Sequence, residues 1–336
     1  MPAERRTYNA RTPAKPQQFR STPRREGSRL YTPPNLADST PPTAPTTSET
    51  AAAAAPAGPS NLRLRVIYGL IGAALLLGSV WFSPWTFGIF FAAVQAVMLW
   101  EFYRMMRAGG YAPATWIGVG ASLLIIVTLV LMVAAYDEGT LGNAPVKALC
   151  LFLCLPVVLL LREMVLWPKY SSPFSNAAVT LTGLFYVSLP MSLLGIISSG
   201  SHGYDYRRIF ALLFLIWASD IGAYAAGKTF GKHKMAPQIS PGKTWEGWAG
   251  GFALTLVVGW AVGFMLPDMP LAHRLVAAGV VAVFAPLGDL AESMLKRSVG
   301  VKDSGSIMPG HGGLLDRFDA FLLVLPVLAL LQLLVN

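Results

Sequence analysis

Ionisable side chains concentrate in one short window between two long apolar runs near the end of the chain. The window, residues 293–319, contains Lys296, Arg297, Lys302, Asp303, His311, Asp316, Arg317 and Asp319, and Asp289 and Glu292 lie just upstream of it. Carboxylates are the ligands that a hard divalent cation prefers, and Lys, Arg and glycine-rich backbone suit phosphates. Charged groups beside apolar spans are costly and usually functional. The window therefore predicts a site for metal and phosphate chemistry.

The spacing inside this window predicts which side chains share a face. Asp289, Ser293 and Lys296 recur at helical intervals, so an extension of the preceding apolar helix would present them together. Asp316 and Asp319 are neighbours at the start of the next helix, where dipole stabilisation alone accounts for one acid. The turn before them combines His311, Gly312 and Gly313, whose backbone can approach an anion closely. His311 is either a catalytic group or a hydrogen-bonded loop histidine.

A second group of candidates begins at Asp220, which interrupts an apolar run. A carboxylate inside a membrane span is a functional candidate by default, although a packing Asp bonded to a neighbouring helix is the alternative. The segment 222–229 has the spacing of a P-loop, but that motif needs a strand before it and a helix after it. An apolar helix precedes this segment and prolines follow it, so we exclude the P-loop fold. The glycines and lysines from Gly227 to Lys243, including Lys228, could still bind phosphate through backbone N–H groups and positive charge.

Composition places these residues in a membrane protein. Of 336 residues, 54% are hydrophobic and 13% are charged, whereas soluble domains average about 25% charged. The net charge of +9 does not predict nucleic acid as a partner, because no motif of that class is present. In a membrane chain an excess of Lys and Arg marks cytoplasmic loops instead.

Three regions follow from the pattern along the chain. Residues 1–60 are rich in Pro, Ala, Thr and Arg and predict a disordered basic tail. Residues 61–206 predict N-terminal transmembrane helices, and residues 207–336 predict the catalytic transmembrane region. About nine spans are near the length of roughly 20 residues that a crossing helix needs. They lie at about 64–83, 86–103, 115–136, 145–162, 177–198, 208–227, 247–266, 271–291 and 318–335.

Loop charges predict the orientation of this all-α polytopic protein. Lys and Arg are enriched in alternate loops, which predicts a cytoplasmic N-terminus and an external C-terminus. The loops at about 228–246 and 292–317 then share the cytoplasmic face. The pairs Gly247/Gly251 and Gly259/Gly263 would allow close helix contact, including contact in a homodimer.

The charged blocks resemble one known family. The pattern Ser-x-x-Lys-Arg-x4-Lys-Asp with His-Gly-Gly-x-x-Asp-Arg-x-Asp is similar to the hallmark of phosphatidate cytidylyltransferases, also called CDP-diacylglycerol synthases. The block from Ser219 to Gly247 resembles their upstream motif. The resemblance covers about residues 217–321 and implies that CTP and phosphatidate react to CDP-diacylglycerol and diphosphate. It implies a multi-pass enzyme of the cell membrane, with lipids around it and its site facing the cytoplasm.

The chemistry assigns roles to the candidates. Two anionic reactants must meet, so positioning and charge neutralisation dominate. A divalent cation, Mg²⁺ by expectation, would bridge nucleotide oxygens, and a second cation is left open. Asp289 and Asp316 lead as metal ligands, with Asp220 and Asp319 next. Lys296 and His311 join these acids as catalytic candidates. Expected contacts to CTP or diphosphate are Lys228, Lys243, Arg297, Lys302, Gly312, Gly313 and Arg317.

Two other functions compete with this hypothesis. A CTP-dependent polyprenol or phytol kinase would use a similar membrane setting, but it would need a base for a lipid hydroxyl. A transporter would place its polar site near the bilayer midplane, often between repeats. Here the charges cluster at the cytoplasmic ends of the predicted helices, and no repeat is detected.

Overall fold

The computed structural model describes residues 61–137, 143–170, 172–200, 203–305, 307 and 312–335. The predicted tail and His311 lie outside these described residues. Most of the described residues are helical, so the predicted all-α class is confirmed. The helices are α1 (Asn61–Phe82), α2 (Pro84–Ala108), α3 (Thr115–Asp137), α4 (Ala144–Val165), α5 (Pro173–Gly183), α6 (Leu189–Ser192), α7 (Leu194–Ile197), α8 (Tyr206–Phe230), α9 (Trp245–Ala261), α10 (Leu271–Ser298) and α11 (Leu315–Val335).

Short non-α elements join some of these helices. A π-helical turn, Leu184–Ser188, lies between α5 and α6, and a 3₁₀ turn, Val262–Phe264, follows α9. Four short strands form two antiparallel hairpins. The first pairs β1 (Ser199–Gly200) with β2 (Gly203–Tyr204) before α8, and the second pairs β3 (Lys234–Ala236) with β4 (Ser240–Thr244) before α9.

Seven helical segments within the described residues are long and apolar enough to cross a membrane. They are Pro84–Ala108, Val146–Val165, Pro173–Ile197, Tyr206–Phe230, Trp245–Phe264, Leu271–Ser298 and Leu315–Val335. Two further predicted spans coincide with α1 and α3, whose described apolar stretches, Val66–Phe82 and Thr115–Leu129, are shorter. The chain is therefore a multi-pass helical membrane protein, while the count of nine stays a prediction.

A buried polar network fixes α2 against its neighbours in the N-terminal half. The amide nitrogen of Gln95 donates to the hydroxyl of Ser122 on α3 at 2.9 Å. The hydroxyls of Ser188 and Ser192 donate to Ser122 and to the Gln95 carbonyl oxygen at 2.8 and 3.2 Å. Hydrogen bonds between helices hold spans together where lipid provides no hydrophobic drive. The network therefore positions α2, which carries a residue of the candidate site.

Glycines bring α8 and α9 into close contact. A β-carbon added to Gly222 would lie 2.7 Å from the carbonyl oxygen of Gly250, and one added to Gly251 would lie 2.7 Å from that of Ser219. Further along, Gly259 packs on Ala278 of α10 and Gly263 packs on Arg274. The glycines expected to allow a homodimer contact are thus used inside the chain, as are those of α8 that face them.

The β3–β4 hairpin carries the chain from α8 to α9. Residues 222–229 lie inside α8 and follow its own earlier turns rather than a strand and loop, which confirms the exclusion of a P-loop. Gly227 and Gly231 both lie against Thr244, so packing accounts for their lack of a side chain. The hydroxyl of Thr244 accepts the Gly247 N–H at 3.1 Å and caps α9.

Close contact between α10 and α11 builds the last part of the frame. The helix of residues 271–298 extends past the predicted end at 291, so Asp289, Ser293 and Lys296 share one helix as expected. Gly288 allows the crossing, because an added β-carbon would lie 2.6 Å from the Asp319 carbonyl oxygen. The second turn of α11, at Asp319 and Ala320, therefore lies directly against α10 at Gly288.

Candidate active site

Three carboxylates meet where α10 crosses α11. One oxygen from each of Asp289, Glu292 and Asp319 lies within 4.8 Å of the other two. Asp289 and Glu292 are three residues apart on α10, and helix geometry places such residues on one face. Asp319 comes from the first turns of α11, which Gly288 admits at close range. The crossing therefore collects carboxylates that lie far apart in sequence.

Lys243 reaches this acidic cluster from the β3–β4 hairpin. Its Nζ lies 2.7 Å from Oδ2 of Asp289 and donates to the Pro286 carbonyl oxygen at 2.9 Å. Asp220 on α8 interacts electrostatically with both Asp289 and Lys243, and Asp319 interacts with all three. Four elements, α8, β4, α10 and α11, thus bring predicted residues to one place.

Lys296 forms a second ion-pair group beside the cluster. Its Nζ lies 2.5 Å from Oε2 of Glu292 and 2.6 Å from Oδ1 of Asp316. The other oxygen of Asp316 accepts the N–H groups of Gly313 and Ser304 at 2.9 and 3.1 Å. Asp316 therefore faces a lysine, two backbone donors and Glu292 at the edge of the acidic cluster. Asp319 instead faces Asp289, Lys243 and Asp220.

Glu101 on α2 lies against the turn at Gly313–Leu315 that leads into α11, although it was not predicted from the sequence. The side chain is buried, and its Oε2 accepts the N–H of Leu315 at 2.9 Å. The turn fits tightly over it, since a β-carbon added to Gly313 would lie 2.6 Å from Oε2. An acid inside the apolar span predicted at about 86–103 was the signal that could have identified it.

Two more residues of the site also escaped selection as candidates. Glu292 lies three residues after Asp289 on α10 and is not among the ligands predicted from the sequence. Tyr186, from the π-helical turn, interacts electrostatically with Asp289, Glu292 and Asp319. Its phenol oxygen is buried with no hydrogen-bond partner in the described part of the chain. Nothing in the sequence around Tyr186 indicates which helix faces it.

The remaining predicted basic residues lie at exposed positions around this frame. Lys228 is in the last turn of α8, with its amine 5.7 Å from the ring centroid of Tyr224. Arg297 ends α10 and donates to the Val301 carbonyl oxygen at 3.4 Å, and Lys302 is in the following loop. Arg317 is exposed in the first turn of α11. Gly312 has a φ of 83°, which favours glycine.

The acidic cluster has the donor set of a site for a hard cation. All its ligand atoms are carboxylate oxygens, the type that Mg²⁺ and Ca²⁺ prefer. The buried Oε1 of Glu292 has no hydrogen-bond partner among the described residues. A buried carboxylate oxygen without a partner is costly unless a cation or donor compensates it. The residues therefore fit a divalent metal.

Comparison with known proteins identifies the family of the chain. The sequence profile of the cytidylyltransferase family matches residues 63–335. The chain belongs to this family. Residues from Glu101 to Asp319 fall inside the matched region, so the cytidylyltransferase match includes every element of the site, and the tail lies outside it.

Curated relatives of this cytidylyltransferase carry a more specific name. A phosphatidate cytidylyltransferase of Bacillus subtilis is 34% identical over 272 residues, covering 80% of this chain and 96% of the relative. One from Pseudomonas aeruginosa is 35% identical over 273 residues, with the same two coverages. One from Haemophilus influenzae is 30% identical over 278 residues, covering 79% and 96%. The predicted family is confirmed.

Proposed function

We propose that the chain is a phosphatidate cytidylyltransferase, which converts CTP and phosphatidate to CDP-diacylglycerol and diphosphate. The observation that carries this proposal is the acidic cluster of Asp289, Glu292 and Asp319 with Lys243 and Lys296 beside it, set among apolar helices. The names of the relatives agree with this substrate pair.

The reaction asks for positioning and charge neutralisation. A phosphate oxygen of phosphatidate forms a bond to the α-phosphorus of CTP, and the bond from that phosphorus to the β-phosphate bridging oxygen breaks. Diphosphate leaves with the electron pair. The lipid phosphate is already ionised, so the attack requires no general base. Most of the catalysis must come from holding two anions in line and stabilising the charge that develops.

We assign the metal-binding role to Asp289, Asp319 and Glu292, with Asp220 within electrostatic reach. Mg²⁺ bound there would neutralise nucleotide phosphate oxygens and the departing diphosphate. Asp316 was a leading ligand in the sequence prediction. In the structure it pairs with Lys296 and two backbone N–H groups, and we now propose that it positions Lys296 and the turn.

Lys243 and Lys296 would have different roles at the site. Lys243 pairs with Asp289, so a cation bound to Asp289 would release the ammonium group toward nucleotide phosphate. Lys296 is held between two carboxylates and keeps its charge at the cluster. The exposed Lys228, Arg297, Lys302 and Arg317 would attract CTP, and the turn with His311, Gly312 and Gly313 would approach its phosphates.

The membrane arrangement is also a proposal. Nine spans with the N-terminus inside and the C-terminus outside would put the β3–β4 hairpin and the loop after α10 at the cytoplasmic face, where CTP is found. Phosphatidate would enter from the surrounding cell membrane. A homodimer remains a prediction, now without the glycine pairs that suggested it.

Position-specific labelling of CTP gives the decisive experiment. Purified protein in detergent is incubated with phosphatidate, a polyprenol, Mg²⁺ and CTP carrying ³²P at either the α or the γ position. We expect α-label in the lipid product and γ-label in diphosphate. Transfer of γ-label to a lipid alcohol would identify a kinase and contradict the proposal. Asp289→Asn should lose the reaction, and Asp268→Asn, a matched change at an exposed loop carboxylate, should keep it.

A further inference from the structure

A large cavity lies at the opposite ends of the helices that form the acidic cluster. Its volume is about 1150 Å³, and its lining includes the first turns of α8 and α10 and the last turns of α11. Asp220, Asp289 and Asp319 lie in the other halves of those same helices. From Arg208 to Asp220 is twelve residues, or roughly 18 Å along a helix. The cavity is therefore separate from the candidate active site.

At the rim of the cavity, Asp205 and Arg207 already form an ion pair with each other. Asp205 caps α8 and accepts Nε and Nη2 of Arg207 through its two oxygens at 2.9 and 3.0 Å. Partial burial raises the pKa of Asp205, but the hydrogen bonds and charge of Arg207 outweigh it and leave the pKa below its ordinary value. Both partners stay charged, so Arg207 and Asp205 neutralise each other.

Arg208 also lies within electrostatic reach of Asp205, but both oxygens of that carboxylate already accept from Arg207. Neither Arg208 nor Arg274 has a carboxylate of its own among the described residues. Arg208 and Arg274 form no ion pair with a carboxylate within the described part of the chain, and the Nε of each is buried without a hydrogen-bond acceptor. Arg274 uses one Nη1 donor on the Trp260 carbonyl oxygen at 3.3 Å. A buried guanidinium N–H without an acceptor is costly, and phosphate oxygens match the guanidinium fork. The cavity thus contains positive charge and donors that an anion would satisfy.

The floor of the cavity is apolar. Leu212, Leu215, Val262 and Leu328 line it between the helices. Gln332 also contributes, but its amide nitrogen already donates to the carbonyl oxygens of Ile196 and Ser199. The volume exceeds the range of about 300–1,000 Å³ typical of small-molecule pockets. An apolar floor of this size below two arginines suits a molecule with a phosphate at one end and hydrocarbon at the other.

We propose that this cavity is a second lipid site, which binds an anionic phospholipid with its phosphate on Arg208 and Arg274 and an acyl chain along the leucine floor. The site lies outside the proposed reaction and does not depend on it. Its occupant would enter from the membrane leaflet opposite the active site, since the two sites lie at opposite ends of α8, α10 and α11.

Native mass spectrometry of protein reconstituted in phosphatidylcholine nanodiscs with added phosphatidylglycerol, then released into detergent, tests the proposal. We expect one retained phosphatidylglycerol in the wild type. Its retention should fall at least about tenfold in Arg208→Gln/Arg274→Gln, as expected when charge-assisted hydrogen bonds are lost. Arg104→Gln, which removes an arginine outside the cavity lining, should retain it.

A second variant protects the test against misfolding of the double mutant. Ala277→Phe would fill part of the cavity and leave both arginines in place. It should lose the retained lipid as well. Equal retention in wild type and both cavity variants would overturn the proposal, as would equal retention of phosphatidylcholine. Thermal stabilisation by inorganic phosphate that matches stabilisation by phosphatidylglycerol, with no lipid retained, would show a free-phosphate site and overturn the lipid assignment.

Discussion

Asp289 is the residue at which the two kinds of charge in the site meet, since it faces Glu292 and Asp319 on one side and Lys243 on the other. Removing its charge changes both the carboxylate group and the ion pair. Asp319 contributes to the same cluster from another helix. If one cation needs both carboxylates, the loss of either disables the same ion.

We therefore predict that Asp289→Asn and Asp319→Asn each lower kcat by at least about a hundredfold, because metal-assisted charge stabilisation contributes several kcal/mol. The double variant should be little worse than either single one. Thermal stabilisation of the protein by Mg²⁺, a readout independent of turnover, should disappear in both. Normal Mg²⁺ stabilisation in the two variants would contradict the proposed ligands, and Asp268→Asn is the matched control.

Substitution of Asp316 tests whether this residue is a metal ligand or a positioning group. Its oxygens accept Lys296 and two backbone N–H groups, so Asp316→Asn should lower the free energy of unfolding by about 1–3 kcal/mol. The Mg²⁺ concentration for half-maximal activity should stay close to that of the wild type. A large rise in that concentration with unchanged stability would restore Asp316 as a metal ligand, as the sequence predicted.

At the scale of elements, the α8–α9 contact determines where the β3–β4 hairpin places Lys243. The contact depends on positions without side chains, and Gly222 is one of them, 2.9 Å from the Gly251 Cα for an added β-carbon. A widened contact would move the hairpin that both helices flank. The chemistry of Lys243 therefore depends on residues that never touch it.

Gly222→Ala should lower the free energy of unfolding by about 1–3 kcal/mol, the usual cost of overpacking. Activity should fall with it because Lys243 shifts. Gly279→Ala is the matched control, since an added β-carbon there meets nothing within 4 Å. That variant should be neutral or more stable by up to about 1 kcal/mol. Thermal unfolding in detergent measures both, and equal melting temperatures would show that the contact tolerates a methyl group.

Sequence patterns predicted some elements of the site and missed others for physical reasons. Helical spacing was enough to place Asp289 and Lys296 on one helix, because that relation is local. The partner of each acid depends on how α10 and α11 cross, so Asp316 and Asp319 could not be told apart. Tyr186 and Glu101 come from distant helices, and their proximity to the site depends on tertiary packing.

For the whole molecule, the orientation in the membrane is the largest open prediction, since described helices establish spans but not direction. Cysteine labelling with a membrane-impermeant maleimide measures it after Cys150 and Cys154 are replaced by Ser. Lys169→Cys should label only from the cytoplasmic side and Asp268→Cys only from outside, because Lys and Arg favour inner loops. Labelling of both from one side would break the predicted alternation of spans.

The hydrogen bond from the Leu315 N–H to Glu101 can form only late in biosynthesis. The two residues are 214 positions apart, so at about 5–20 residues per second the ribosome needs roughly 10–40 s to supply the partner. During that interval the carboxylate of Glu101 in α2 has no Leu315 N–H from which to accept a hydrogen bond. The site can be completed only when the last helix enters the membrane, so a chain stopped before α11 would insert most of its spans and remain inactive.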